Sequence, residues 1–100
     1  MTIAIDFDGT WTADPGLWRL FAAACTHSGH RLIMVTGRSG RSEDMERYQL
    51  PHTMPIIYTG GAMKEKAALK AGYKVDIWID DMPAMIQECA VIGQSKDSEL

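Results

Sequence analysis

Side chains able to hold a cation or a phosphate recur in this chain at the ends of its short apolar runs. Asp6 and Asp8 close the first run (TIAIDF). Thr36, Gly37 and Arg38 end or follow the second (RLIMVT), and Thr59, Gly60 and Gly61 close the third with Lys64 just beyond. Asp80 and Asp81 close the fourth. Clustered carboxylates repel one another unless a cation stands among them, and oxygen-only donors suit a hard ion such as Mg2+. A lysine, a threonine hydroxyl and the N–H groups of a glycine-containing turn suit an anion. A hard cation beside an anion pocket, with a carboxylate at hand, is the setting of phosphoryl transfer.

These residues need a scaffold that gathers strand ends on one rim. The pattern predicts strands over Thr2–Phe7, Arg31–Thr36, Pro55–Thr59 and Val75–Ile79, with a short fifth over Ala90–Gly93. Helices are expected over Pro15–Ser28, near Ser42–Tyr48, over Met63–Ala71 and from Pro83 to Cys89. Asp14 is placed to cap the first helix, Pro15 suits its first turn, and Gly29 ends it. Leu17, Leu20, Phe21 and Ala24 form its expected apolar face. Strands alternating with helices argue for an α/β fold with a parallel sheet covered on both faces. In such sheets ligands bind outside the carboxyl ends of the strands, where the polar residues above fall.

Composition narrows the classes. One hundred residues, 46% apolar and 23% charged, describe a single globular domain over 1–100. A polar tail from Gln94 to Leu100 is expected to be disordered. The formal charge of −3, with no basic face, argues against general nucleic-acid binding. Cys25 and Cys89 lack a metal spacing and read as buried small hydrophobes. There is no signal-peptide pattern and no run near the ~20 apolar residues of a membrane span. A cytoplasmic protein is expected.

The run Asp6-Phe7-Asp8-Gly9-Thr10 (DFDGT) at the end of a strand resembles the first motif of the haloacid dehalogenase (HAD) superfamily. Val35–Arg38 (VTGR) resembles the second motif, Lys64 the third and Ile79–Asp81 (IDD) the fourth. The resemblance implies a Rossmann-like three-layer sandwich around a parallel sheet of four to five strands. It also implies an Mg2+-dependent phosphatase acting through an aspartyl-phosphate. Asp6 would be the nucleophile and Asp8 the acid/base. Thr36 and Gly37 would bind phosphate, and Lys64 would neutralise the transferring group. The Asp6 side chain, the Asp8 carbonyl and the pair Asp80/Asp81 would hold Mg2+, with the direct ligand of that pair left open. Thr10 would steady the turn.

Plainer readings stand beside these. Thr36 alone can simply end a strand, Asp80-Asp81 can cap a helix, and Lys66 rivals Lys64 for the third motif. Arg38 reads as a rim residue, Asp76 and Glu88 as surface charges, and His27, His30 and His52 as surface or interface residues. Trp11, Trp18 and Trp78 read as packing residues, with substrate stacking a second option for Trp11. Neither the Trp11–Asp14 stretch nor the stretch from Arg38 to Lys64 has room for a cap domain. The expected rim is therefore open unless a second subunit covers it, and suits a bulky substrate such as a phosphorylated protein, polysaccharide or nucleic-acid end, with a phosphorylated small molecule also left open as substrate. Competing readings are a receiver domain, whose lysine would follow the last strand, and a non-catalytic phosphate- and metal-binding protein.

Overall fold

The computed structural model describes residues 1–87. Four parallel strands form one sheet: β1 (Thr2–Ile5), β2 (Arg31–Thr36), β3 (Ile56–Tyr58) and β4 (Ile77–Ile79), in the order β3-β2-β1-β4. Among the described residues three helices accompany them: α1 (Pro15–His27), α2 (Glu43–Glu46) and α3 (Lys64–Lys70). Short 3-10 turns cover Trp11–Ala13 and Pro83–Met85. The chain steps from β1 through β2 to β3 on one side, then returns to place β4 on the other flank of β1. The order reverses beside β1, so a crevice is expected at the carboxyl ends of β1 and β4.

Strand pleat decides which residues face which layer. Ile3, Ile5, Leu32 and Met34 join Phe7, Trp11, Ala22, Cys25 and Met45 in one buried cluster, which brings in α1 and α2. Ala4, Ile33 and Val35 join Ala68 of α3 in a second, with Ile57, Tyr73, Val75 and Trp78 partly buried against it. Both faces of β2 are thus apolar, and its sequence runs without polar alternation for that reason. Phe7, Trp11, Ile5, Met34 and Met45 are almost wholly covered, each side chain contributing about 1.5–3 kcal/mol by leaving water.

The Asp14 carboxylate accepts the Leu17 N–H at 3.2 Å and caps α1, while Gly29 at φ +78° turns the chain out of it. The face that α1 buries is only partly the expected one: Phe21 packs on the core as expected, but the rest of that face does not. Leu17 is 50% and Leu20 73% exposed, Ala24 is exposed, and Ala22 and Cys25 point inward with Trp18 and Phe21 beside them. Phe21 belongs to both apolar stripes of the helix, and the stripe that also carries Trp18 faces the sheet because a larger ring covers more of it. Trp18 and Phe21 meet edge to face at 5.9 Å.

Other boundaries also differ. β1 ends at Ile5 because Asp6 to Thr10 turn away from the sheet, and β4 begins only at Ile77. Asp76 is more than a surface charge, since its carboxylate accepts the Thr2 N–H at 2.8 Å beside the start of β4. The segment after Pro83 forms a 3-10 turn, not a regular helix, within the described residues. Glu88, Cys89, the fifth strand at 90–93 and the polar tail lie outside the described residues. No helix among the described residues is long and apolar enough to cross a membrane.

Candidate active site at the β1–β4 crevice

Backbone pairing brings the two acidic strand ends together. Ile5 lies in register with Ile79, and the Asp6 N–H donates to the Ile79 carbonyl at 3.0 Å. The next residues of each strand therefore share the crevice. One carboxylate oxygen from each of Asp6, Asp80 and Asp81 falls within 4.8 Å of the others. Lys64, first residue of α3, reaches in to donate to Asp6 Oδ1 at 2.7 Å and to Asp80 Oδ2 at 2.6 Å. Its rival Lys66 is exposed on the same helix.

Thr10 ties the first loop to the last. Its hydroxyl lies 3.3 Å from Asp6 Oδ2 and 3.2 Å from Asp81 Oδ1, and it accepts the Asp81 N–H at 3.2 Å. A hydroxyl has one proton, so it donates to one carboxylate at a time. The Trp18 indole N–H holds the Thr10 carbonyl at 2.9 Å. Gly9 has φ +83°, and a Cβ there would stand 2.3 Å from Asp81 Oδ2. The turn thus requires glycine twice over, for its left-handed backbone and for the carboxylate that crowds it.

Burial sets the electrostatics. Asp6 is only 6% exposed, and loss of water pushes its pKa up to about 6; the Lys64 bond pulls the other way, while Asp81 and Asp80 add to the rise. Asp81 is held below the ordinary carboxylate range, chiefly by its contact with Asp6. Two carboxylates this close cannot both stay charged cheaply, which adds to the rise at Asp6. Burial works against the charge on Lys64, but its bonds to Asp6 and Asp80 outweigh that and raise its pKa.

Asp8 does not join this cluster. Its carboxylate turns to Arg38, accepting Nε at 2.9 Å and Nη2 at 2.8 Å. Residues two apart share a side only while the chain stays extended, and β1 ends at Ile5 before Asp6 and Asp8 are reached. Arg38, read from sequence as a rim residue, is a hub. It also donates to Ser42 Oγ and to both oxygens of Asp44, and its guanidinium lies 5.0 Å from the Phe7 ring centre. The signal for it was an arginine two residues past a strand end facing a loop carboxylate, a pairing that sequence spacing does not encode.

Thr36 is fully buried at the end of β2, and its hydroxyl accepts the Arg38 N–H at 3.3 Å. Gly37 is exposed beside it. Neither hydrogen-bonds to the Asp6 cluster among the described residues. Trp11 is buried in the core and cannot stack on a substrate from there; its indole N–H finds no partner among the described residues. His30 contacts the terminal amine of Met1, and His27 and His52 are exposed.

Three carboxylates and no sulfur or imidazole form a donor set for a hard divalent cation. An octahedral ion with ligands near ~2.1 Å spaces its donors by roughly 3–4 Å, so oxygens within 4.8 Å of one another need only a small closing movement. Asp81 is the freer of the last two: both Asp80 oxygens are taken, by Lys64 and by the Met82 N–H at 2.9 Å. No family model, curated protein or solved structure matches the chain, so what the crevice does rests on its own geometry.

Proposed function

We propose that the chain is an Mg2+-dependent phosphomonoester hydrolase of the HAD type in which Asp6 is the nucleophile. The observation that carries this reading is the convergence of Asp6, Asp80 and Asp81 with Lys64 at the point where strand order reverses. Asp6 and Asp81 would hold the cation directly, with Asp80 fixing Lys64, and the Asp8 carbonyl completing the protein's share. When bound, the cation neutralises charge on the phosphoryl oxygens and draws the carboxylates together.

The remaining chemistry belongs to side chains. Asp6 attacks phosphorus and the ester oxygen leaves, giving an aspartyl-phosphate; water then attacks phosphorus and frees the Asp6 carboxylate. Asp8 donates a proton to the departing alcohol and takes one from the incoming water. Lys64 offsets charge on the transferring group and fixes one oxygen of Asp6, leaving the other to react. Thr36 and the Gly37 amide, at the neighbouring strand end, are the candidate phosphate donors. The finer features of the HAD type, a complete three-layer sandwich and a cytoplasmic setting, belong to the same proposal.

A screen for phosphate release in Mg2+ tests it, over aryl phosphate, nucleotides, sugar phosphates, phosphopeptides and oligonucleotides with terminal phosphates. Release that vanishes with chelator and in Asp6→Asn is expected; full turnover by Asp6→Asn would overturn the assignment. A second reading, phosphate and cation binding without turnover, draws on the covering of Asp6 and the engagement of Asp8 by Arg38. Calorimetry showing tight phosphoester binding with no release would favour it.

A further inference from the structure

Arg38 has five N–H donors, and all five are spent on protein acceptors. Nε and Nη2 fork onto Asp8; Nη1 and Nη2 fork onto Asp44; the second Nη1 proton goes to Ser42 Oγ. The guanidinium plane also lies over Phe7, whose ring meets Tyr48 edge to face at 5.2 Å. At its root, the Arg38 N–H is held by the Thr36 hydroxyl. An arginine with no spare donor is poorly placed to clamp a substrate phosphate, but well placed to hold a carboxylate in one orientation.

That carboxylate is Asp8. Each of its oxygens accepts one Arg38 proton and keeps a lone pair for another partner. It lines, with Arg38, Asp44, Arg47 and Tyr48, a cavity of about 360 Å3 next to the Asp6 turn. A leaving group protonated by Asp8 would have its bulk on that side.

Resting on the hydrolase reading above, we infer that Arg38 is the positioning residue for Asp8. The Asp44 and Ser42 contacts aim the guanidinium, and the guanidinium aims the acid/base carboxylate at the leaving-group side of the crevice. Arg38 touches neither phosphate nor cation in this scheme. Its effect on the reaction runs entirely through Asp8.

The test is a double-mutant cycle on Mg2+-dependent hydrolysis of an aryl phosphate, with Arg38→Gln, Asp8→Asn and the double variant. Arg38→Gln is expected to lower kcat about 10–100-fold, the order expected when a reacting group is misplaced by an ångström or so. KM should stay within about threefold, because uniform substrate binding is untouched. In the Asp8→Asn background, Arg38→Gln should add less than about a twofold loss, since coupled residues are non-additive. Arg38→Lys keeps the charge without the two forks and should restore little of kcat. Asp44→Asn should give a smaller loss in the same direction, also absent once Asp8 is Asn, and serves if Arg38→Gln does not fold.

Unchanged kcat in Arg38→Gln, losses that multiply with those of Asp8→Asn, or a raised KM at constant kcat would each overturn the inference while leaving the hydrolase reading intact. A wild-type chain that releases no phosphate would overturn that reading and this inference with it.

Discussion

Two cations organise the carboxyl edge of the sheet, each between two carboxylates, yet they sit in opposite surroundings. Lys64 is buried with Asp6 and Asp80, their side chains 5%, 7% and 2% exposed. Arg38 is 28% exposed, between Asp8 at 55% and Asp44 at 50%. In the first cluster, charge has been taken from water and must be compensated inside, so the arrangement is bound up with stability. In the second, water screens every pair, so geometry rather than energy is what the contacts supply. The same charge pattern therefore fixes the fold at one place and aims a side chain at the other.

Removing the two cations in turn should separate their roles most visibly. Lys64→Met should destabilise the chain by about 3–5 kcal/mol, because Asp6 and Asp80 are left buried without compensation. Arg38→Met should move the urea midpoint by a small fraction of that. Equal losses in the two variants would erase the distinction.

Next in size is a substitution expected to raise stability while removing activity. The folded pKa of Asp6, about 6, lies above its ordinary 3.8, so the folded chain keeps a proton that the unfolded chain releases. Its contribution is therefore fully present below pH ~4 and is lost as pH rises through ~6, by roughly 2–3 kcal/mol. Chelator-treated wild type should show that decline in denaturant melts, and Asp6→Asn should lack it and be the more stable at pH 8. Asp44 has the opposite sign. Arg38 holds its pKa well below the usual carboxylate range, so its contribution is present at neutral pH and fades as acid protonates it. Added Mg2+ should restore the wild type above pH 6, since a ligand of the folded state stabilises it by mass action.

Two glycines give the smallest and sharpest contrast. Gly9 and Gly29 have nearly equal φ, +83° and +78°, but only Gly9 has the Asp81 carboxylate where a Cβ would stand. Gly29→Ala should cost about 1 kcal/mol for the backbone alone. Gly9→Ala should cost more, and should weaken Mg2+ binding by displacing Asp81. Equal melting shifts would mean that Asp81 moves aside freely.

The buried cluster was legible in sequence and the exposed one was not, for a physical reason. Asp6, Lys64 and Asp80, with the exposed Asp81 beside them, follow strand ends or open a helix, and a parallel sheet carries strand ends to one edge by its own regularity. Asp8 and Arg38 lie in loops that begin once the strands stop, where period-two reasoning no longer applies. Helix α1 is legible only in part. Phe21 packs inward as its spacing predicts, but Leu17 and Leu20, as apolar as any core residue, stay exposed and Trp18 is partly covered instead. Strands β3 and β4 were legible as elements and overextended at their ends, because apolar residues flanking a sheet look like the sheet.

The central claim is that Asp6 becomes phosphorylated during turnover, and borohydride trapping examines it directly. An acyl phosphate is reduced to an alcohol, so quenching the chain with borohydride during incubation with aryl phosphate should convert residue 6 to homoserine. Peptide mass spectrometry should find that conversion at residue 6 with Mg2+ present and lose it with chelator. Phosphate release with residue 6 still aspartate in the trapped protein, or reduction at Asp8, Asp80 or Asp81 instead, would contradict the account.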